Sequence, residues 1–369
     1  MTKRNSSYDN AKAFAIFVVV LAHMLRNGRY FSYLVPASVP VFFMLSGITY
    51  HHNKSFISFL KRKISTIVLP YLFAGIVSII IFAFLGHFAS AKLDEEISTT
   101  NILQNIVYLF YASAKHSHMK WNNSLWFLPC LMIIMLIVYL IENIVLKIGN
   151  NRFHKLIIRI LLSCICLWTG LYISRMHGVY LPWHIETALC NVIFTEAGIV
   201  LAPVIANNCN VFDNIDPLEG IKKDRFASAK KIVMICSFFI AAIILAYFNG
   251  ESSARTDEYG KSFVLYFFSA LLFSLAFIYM GSLLANTIPI ITYAGMNTLP
   301  VLLWNKYPII IFQTLIGRFS TVLTNPDSVS ALTVSILPSI IVVAICLIIG
   351  YIQKKIIPVT LGIKKVRTS

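Results

Sequence analysis

Ten apolar runs alternate with short polar connections along almost the whole chain. They lie approximately at residues 11–27, 34–52, 65–87, 125–147, 155–174, 184–206, 230–248, 262–285, 297–317 and 331–353. A helix needs about 20 residues to cross the hydrocarbon of a bilayer, so each run predicts a transmembrane helix. Only 12% of the 369 residues are charged, against roughly a quarter in a soluble domain. We therefore predict an all-α polytopic membrane bundle that forms one domain over residues 1–369.

The basic residues are concentrated in the connections rather than in the runs. A net charge of +16 in a soluble protein would suggest a nucleic-acid ligand, but this distribution is typical of cytoplasmic loops. With the N-terminus inside, the inner connections carry nineteen Lys and Arg residues and the outer ones carry nine. We therefore expect both termini in the cytoplasm, although the connection at 286–296, assigned inside, has no basic residue.

The seven cysteines predict neither a disulfide framework nor a metal site. They lie in or beside apolar runs, and no pair has C-x-x-C spacing. Buried thiols are the expected state. The first run imitates a signal peptide, but no small-residue cleavage site follows it, so we expect an uncleaved first span.

The first span carries three ionisable side chains, Asp9, Lys12 and His23. On an α-helix, residues eleven apart lie within ~20° of one face and ~16 Å apart along the axis, which applies to Lys12 and His23. Asp9 falls on roughly the same face. An ionisable group at membrane depth is costly and by default functional. The alternative is that His23 lies at headgroup level and has no role.

Two stretches after the first span have both a structural and a functional interpretation. Val39–Gly47 reads V-P-V-F-F-M-L-S-G and includes Ser46, so it predicts either tight helix packing through small residues or an opening for a ligand. Lys61, Arg62 and Lys63 form a basic cluster. Such a cluster anchors the cytoplasmic side of a span, and it also suits the phosphates of a ligand.

Two aromatic stretches enter spans from the predicted outer side. Asn122–Pro129 contains Trp126, and Leu181–Ala188 contains Trp183 and Glu186. Tryptophans there are either interfacial belt residues or faces for a sugar.

Three carboxylates fall within predicted spans. Glu186 and Glu196 are ten residues apart and ~80° apart around a helix, so they need not meet. Because two carboxylates in one span are costly, we expect one of them to face a polar cavity. Glu142 is near the cytoplasmic end of its span, where we expect a snorkelling surface residue.

Taken in order, these stretches resemble the acyltransferase 3 family of bacterial integral-membrane acyltransferases. The resemblance covers most of the chain. It rests on R-N-x-x-x-D-x-x-K from Arg4, F-F-M-L-S-G from Phe42, F-L-K-R-K from Phe59, L-W-F-L from Leu125, L-P-W-H-I-E-T-A-L from Leu181, Y-F-F-S-A-L-L-F-S-L-A from Tyr266 and Y-A-G-M-N-T-L from Tyr293.

The resemblance implies transfer of an acetyl group from acetyl-CoA to a hydroxyl of a surface glycan or its lipid-linked precursor, at the bacterial inner membrane and without a metal. The family's pairing of a basic residue with a histidine eleven positions later falls on Lys12 and His23. Its basic motif falls on Arg62 and Lys63. The chain departs from the family pattern with lysine at position 12, where arginine is frequent, and with Thr66, where a basic residue is often found.

A further departure is L-W-N-K, from Leu303 to Lys306, where many relatives have a histidine. Asn305 or Lys306 could replace it in a polar contact.

The site that follows is a hypothesis built around His23 as the general base. A covalent acyl-histidine step is an open alternative. In this hypothesis Asp9 orients Lys12. The residues that bind acetyl-CoA are Lys12, Arg62, Lys63 and Ser46. The residues that bind the acceptor are Trp126, Trp183 and Glu186. The competing class is a transporter or flippase that uses His23, Glu186 and Glu196 as a relay.

Overall fold

The computed structural model describes residues 5–25, 33–53, 55–89, 101–148, 151–176, 180–210, 220–285, 287–319 and 328–363. Over these residues the protein is 84% helix and has no strand. Arg4, which opens the first family motif, lies outside the described residues. So do residues 26–27 of the first predicted span and parts of several predicted connections.

Fourteen helices follow one another within the described residues. They are α1 (Ser6–Met24), α2 (Val39–Ile48), α3 (Phe56–Lys63), α4 (Leu69–Ala89), α5 (Ile102–Tyr111), α6 (Phe127–Lys147), α7 (Arg152–Arg175), α8 (Ile185–Asn210), α9 (Gly220–Asn249), α10 (Phe263–Leu283), α11 (Pro289–Met296), α12 (Thr298–Trp304), α13 (Lys306–Phe319) and α14 (Val329–Ile356). Short 3₁₀ turns at Val35–Ala37, Asn123–Trp126 and Pro182–His184 lead into α2, α6 and α8.

Helical structure occupies all ten predicted positions, but only seven of these helices are long and apolar enough to cross a membrane. The other three positions hold α1, the short α2, and α12 with α13. Helices α5 and α11 were not predicted, because they lie in the connections at 88–124 and 286–296. The protein is thus a multi-pass helical membrane protein, while the count of ten and the side of the termini remain predictions.

Helix α1 occupies the centre of the bundle and packs against α2, α10, α11 and α14. Its start is capped by Asn5, whose side chain accepts from the Ser7 amide at 2.9 Å. Asn10 donates to the Gly281 carbonyl at 3.1 Å. A Cβ added at Gly295 of α11 would lie only 1.7 Å from the Asp9 carbonyl oxygen. Only glycine permits this close approach of α11 to α1.

Two predicted spans differ from the expectation of a simple helix. The third begins at Phe56, includes the basic cluster in α3, and passes through a π-helical turn at Ile64–Val68 into α4. The ninth is preceded by a separate helix, α11, which ends before Asn297, and α12 gives way to α13 at Asn305. Apolar runs lie on both sides of these breaks, so hydropathy alone could not locate them.

The carboxylates of α6 and α8 correct two expectations. Glu142 is buried and not a surface residue, because the guanidinium of Arg159 on α7 donates to both of its oxygens, at 2.6 and 2.8 Å. Arg159 also lies 3.6 Å from Glu196. Neither Glu186 nor Glu196 lines either of the two cavities described below. The chain buries these charges in ion pairs instead, which lowers their cost inside the bundle.

Candidate functional site

Two cavities meet at His23. The first, here called the Lys12 cavity, has a volume of about 330 Å³ and lies between α1, α2, α11, α12 and the start of α6. The second, the Arg255 cavity, has a volume of about 340 Å³ and lies between α1, the start of α2 and the connection from α9 to α10. Val19, His23, Val39 and Trp126 line both cavities. His23 therefore stands on a wall that the two share.

The cavities open toward opposite ends of α1. Exposed residues at the Lys12 end of the first cavity include Thr49, Thr66 and Met296. The second has exposed Glu251, Thr256 and Glu258 at its other end. A ligand can thus approach His23 from either end of the bundle.

One face of α1 forms a continuous wall of the Lys12 cavity, as the eleven-residue spacing predicts. Lys12, Ile16, Val19 and His23 all line it. At its start the Lys12 ammonium donates to Asp9 at 3.2 Å, and Asp9 is buried while Lys12 is partly exposed. The buried carboxylate therefore fixes the position of a cation at the mouth of the cavity.

The other end of α1 is held by α13. The Gln313 side-chain amide donates to the carbonyls of His23, at 2.9 Å, and of Met24, at 3.3 Å. These carbonyls belong to the last turn of the helix, where side chains from other helices commonly supply hydrogen bonds. The contact fixes the backbone that carries the His23 imidazole.

The cavity wall beside Trp126 is joined to the interrupted ninth span by several hydrogen bonds. Asn122 donates to the Leu303 carbonyl at 2.9 Å, and the Ser124 hydroxyl bonds to the Asn305 side chain at 3.0 Å. The Lys306 ammonium donates to the Lys120 carbonyl. Ser124 lines the Lys12 cavity together with His23. Asn305, at the junction of α12 and α13, thus brings a polar side chain to this wall.

The predicted donor-binding residues are partly brought together. Ser46 lines the Lys12 cavity, and its hydroxyl donates to the Phe42 carbonyl at 2.8 Å. Arg62 and Lys63 do not line it. Arg62 is exposed one turn before Thr66, which does line the cavity and donates to the Arg62 carbonyl at 2.9 Å. The basic cluster therefore lies just outside the cavity mouth.

Of the three predicted acceptor-binding residues, only Trp126 lines either of these two cavities. Trp183 and Glu186 lie outside both linings. The Trp183 indole donates to the Phe110 carbonyl at 3.0 Å, and Trp183 adopts a left-handed backbone conformation with φ 61°. The two therefore shape the neighbouring structure and do not touch a ligand in these cavities.

Glu186 belongs to a buried ionic cluster that the sequence did not predict. The Lys115 ammonium donates to Glu186 at 2.7 Å and also to Asp257. Burial alone would lower the pKa of Lys115, but the two carboxylates raise it above its ordinary value. Burial raises the pKa of Asp257 despite the facing ammonium. One cation facing two buried carboxylates makes the cluster sensitive to loss of Lys115.

The connection from α9 to α10, residues 250–262, is the other element that was not predicted to belong to the site. We call it the Arg255 loop. It contributes seven of the fifteen residues that line the Arg255 cavity. A sequence signal was present, because E-S-S-A-R-T-D-E-Y-G-K is a dense run of hydrogen-bonding residues between two apolar runs.

No group of three or more His, Cys, Asp or Glu side chains able to hold a metal ion occurs among the residues that the structure describes. The free cysteines include Cys130, Cys164, Cys166, Cys190, Cys236 and Cys346.

Comparison with known proteins gives one match. A family model described as an acyltransferase domain matches residues 5–351 of the chain. No curated protein and no solved structure matches it.

Proposed function

This chain belongs to the acyltransferase 3 family, and from that premise we propose that it transfers an acetyl group from acetyl-CoA to a hydroxyl of a bacterial cell-surface glycan or its lipid-linked precursor. One observation carries the proposal, namely that two cavities from opposite ends of the bundle share the wall that bears His23. A donor from one side and an acceptor from the other would meet at an imidazole.

The donor enters at the Lys12 end in this proposal. Lys231, which donates to Ser282 at 3.2 Å, and the basic cluster of α3 lie at this end, and such an accumulation of basic residues favours the cytoplasmic face of an inner membrane. Cytoplasm is also where acetyl-CoA is available.

The Lys12 cavity suits part of this donor. Its volume of about 330 Å³ is at the low end for a drug-sized ligand, and apolar side chains such as Ile16, Val39 and Leu45 dominate its lining. This fits a thin pantetheine arm and an acetyl group. The phosphates would stay outside, near Lys12, Arg62 and Lys63, where ammonium and guanidinium groups can donate to them.

His23 acts as the general base in the chemical step. Its imidazole accepts the proton of the acceptor hydroxyl while the oxygen attacks the thioester carbonyl carbon. The tetrahedral intermediate then breaks its carbon–sulfur bond, and the thiolate leaves with the proton from His23. Acyl transfer also requires a hydrogen-bond donor for the oxyanion. The Ser124 hydroxyl lines the same cavity, on a wall held by the Asn305, Leu303 and Lys120 contacts, and in this proposal it turns its one hydrogen from Asn305 to the oxyanion as the intermediate forms.

The transporter alternative has no specific support in the arrangement of its predicted relay. Glu186 is paired with Lys115, and Glu196 lies beside Arg159. Neither lines a cavity with His23. A relay needs its ionisable groups in succession along one pathway.

Mass spectrometry of surface glycan tests the proposal in cells that carry the intact gene, a deletion, His23→Ala or His154→Ala. His154 is an exposed histidine at the start of α7 and serves as the matched control. We expect the deletion and His23→Ala to lose the mass of one acetyl group per modified sugar, and His154→Ala to retain it, with equal protein in the membrane fraction. Unchanged acetylation in the deletion would refute the proposal, and acetylation that persists in His23→Ala with blocked glycan movement would favour a transporter.

A further inference from the structure

The Arg255 cavity differs from the Lys12 cavity in the character of its lining. The Arg255 loop supplies Ser252, Ser253, Arg255, Thr256 and two glutamates, and Asn123 lies among the other lining residues. Hydroxyl, amide and carboxylate groups are the partners that sugar hydroxyls require, and an aromatic face from Trp126 completes the lining. We infer that the Arg255 cavity binds the acceptor and that its chemistry selects an uncharged, hydroxyl-rich sugar. The inference rests on the proposed function and extends it to a substrate class.

The charges at the mouth of the cavity disfavour an acidic sugar. One arginine and two glutamates, Glu251 and Glu258, line the cavity, so these three residues sum to a charge of −1. Arg255 is also engaged, because its guanidinium donates to the Ala114 carbonyl at 3.1 Å and interacts electrostatically with Glu258. Glu251 remains exposed at the mouth of the cavity. A uronic acid would therefore meet a like charge, which raises the free energy of binding.

The Arg255 loop is held in place before any ligand binds. At one end, Asn249 bonds to the Tyr259 carbonyl at 2.8 Å and accepts from the Ser262 amide at 2.9 Å. In its middle, Asp257 contacts Lys115, and the Tyr259 hydroxyl accepts from Asn191 of α8 at 3.2 Å. A preformed loop loses little conformational entropy on binding, so a few hydrogen bonds suffice for recognition.

The loop and the base line the same cavity, because Ser253, Thr256 and His23 all belong to its lining. A sugar seated against the loop can thus present a hydroxyl to the imidazole. Trp183 and Glu186 have no part in this seat.

Binding and turnover of the purified full-length protein in nanodiscs test the inference. The probes are neutral methyl glycosides of glucose, galactose, rhamnose and N-acetylglucosamine, and the methyl glycoside of glucuronic acid. Equilibrium binding is measured without acetyl-CoA, and acetyl transfer with it. We expect at least one neutral glycoside to bind and glucuronide not to bind. Thr256→Ala and Ser253→Ala should each weaken neutral-sugar binding by about three- to tenfold, the loss of one hydrogen bond, and leave the KM for acetyl-CoA unchanged.

Glu251→Gln removes the exposed charge without changing shape, so it should admit the glucuronide. Glu251 and Thr256 are exposed, so these two variants should fold even if Ser253→Ala does not. Three results would overturn the inference. They are preferred binding of the glucuronide, no binding of any neutral glycoside, and loop variants that change only the KM for acetyl-CoA. Sugar binding that follows the expected pattern without acetyl transfer would refute the proposed function and leave the binding site standing.

Discussion

Lys115 donates a hydrogen bond of 2.7 Å to Glu186, although the two residues lie 71 positions apart in the chain. Only 6% of Lys115 is exposed, and Glu186 is fully buried. The same ammonium contacts Asp257, so one cation joins the segment after α5, the start of α8 and the Arg255 loop. The wall of the second cavity therefore depends on a side chain that does not line it.

The first prediction concerns this cation. Lys115→Met leaves two buried carboxylates without their counter-charge, a change that costs about 3–5 kcal/mol in the free energy of unfolding. We expect a lower thermal midpoint in detergent, and partial recovery in the double variant with Asp257→Asn. Lys261→Met is the control, because Lys261 is exposed on the same loop.

The second prediction gives the pH dependence of that loss. Burial already raises the pKa of Asp257, and removal of Lys115 raises it further. A carboxyl whose pKa is higher in the folded state than in the unfolded state, where it is about 3.9, contributes its full stability only below about pH 3.9. That stability is lost as the pH rises through the folded-state pKa. The deficit of Lys115→Met relative to the parent should thus shrink on acidification from neutral pH. An equal deficit at every pH would contradict a role for charge.

The third prediction tests the close approach of α11 to α1. Gly295→Ala places a methyl group against the Asp9 carbonyl, a backbone atom that cannot rotate away. We expect destabilisation of about 1–3 kcal/mol and a raised KM for acetyl-CoA, because Gly295 also lines the Lys12 cavity. In the control, Gly75→Ala, the added methyl would meet the end of the Leu109 side chain, which can rotate. A larger loss in the control would refute the steric argument.

The fourth prediction separates phosphate binding from other roles of the basic cluster. Arg62→Gln combined with Lys63→Gln should raise the KM for acetyl-CoA by about tenfold or more, the value of a charge-assisted hydrogen bond. It should leave the KM for S-acetylpantetheine unchanged, because that donor has no phosphate. Lys147→Gln, at the exposed end of α6, is the control. Equal effects on both donors would assign the cluster a structural role only.

The fifth prediction concerns the oxyanion. Ser124→Ala should lower kcat by about a hundredfold or more and leave both KM values nearly unchanged, since the hydroxyl is needed only in the transition state. Asn305→Ala should lower kcat by a smaller factor, because it frees the hydroxyl from its positioning partner. A raised KM with unchanged kcat would assign Ser124 to donor binding instead.

The positions of most helices and the cavity-lining face of α1 could be predicted from the sequence. Apolar runs report membrane burial directly, and the spacing of Lys12 and His23 is a local property of one helix. Partners on different helices could not be predicted in this way. Nothing near Glu142 in the sequence shows that Arg159 of the next helix neutralises it, so its charge alone suggested a surface position.

The Arg255 loop shows the same limit more strongly. Its polarity is visible in the sequence, but its role depends on Lys115, which precedes Asp257 by 142 positions. The hydrogen bond between Ser124 and Asn305, which are 181 positions apart, was equally hidden. Contacts across such long separations depend on tertiary packing and not on local pattern.

The shared wall at His23 has a consequence for chemistry and for inhibitor design. In the proposed reaction the two substrates occupy different compartments, so neither would have to leave before the other arrives, and the acetyl group would pass directly between them without residing on the enzyme. A single compound with a pantetheine-like tail at one end and a sugar at the other would then span both compartments, and its affinity would gain from the linkage of the two halves.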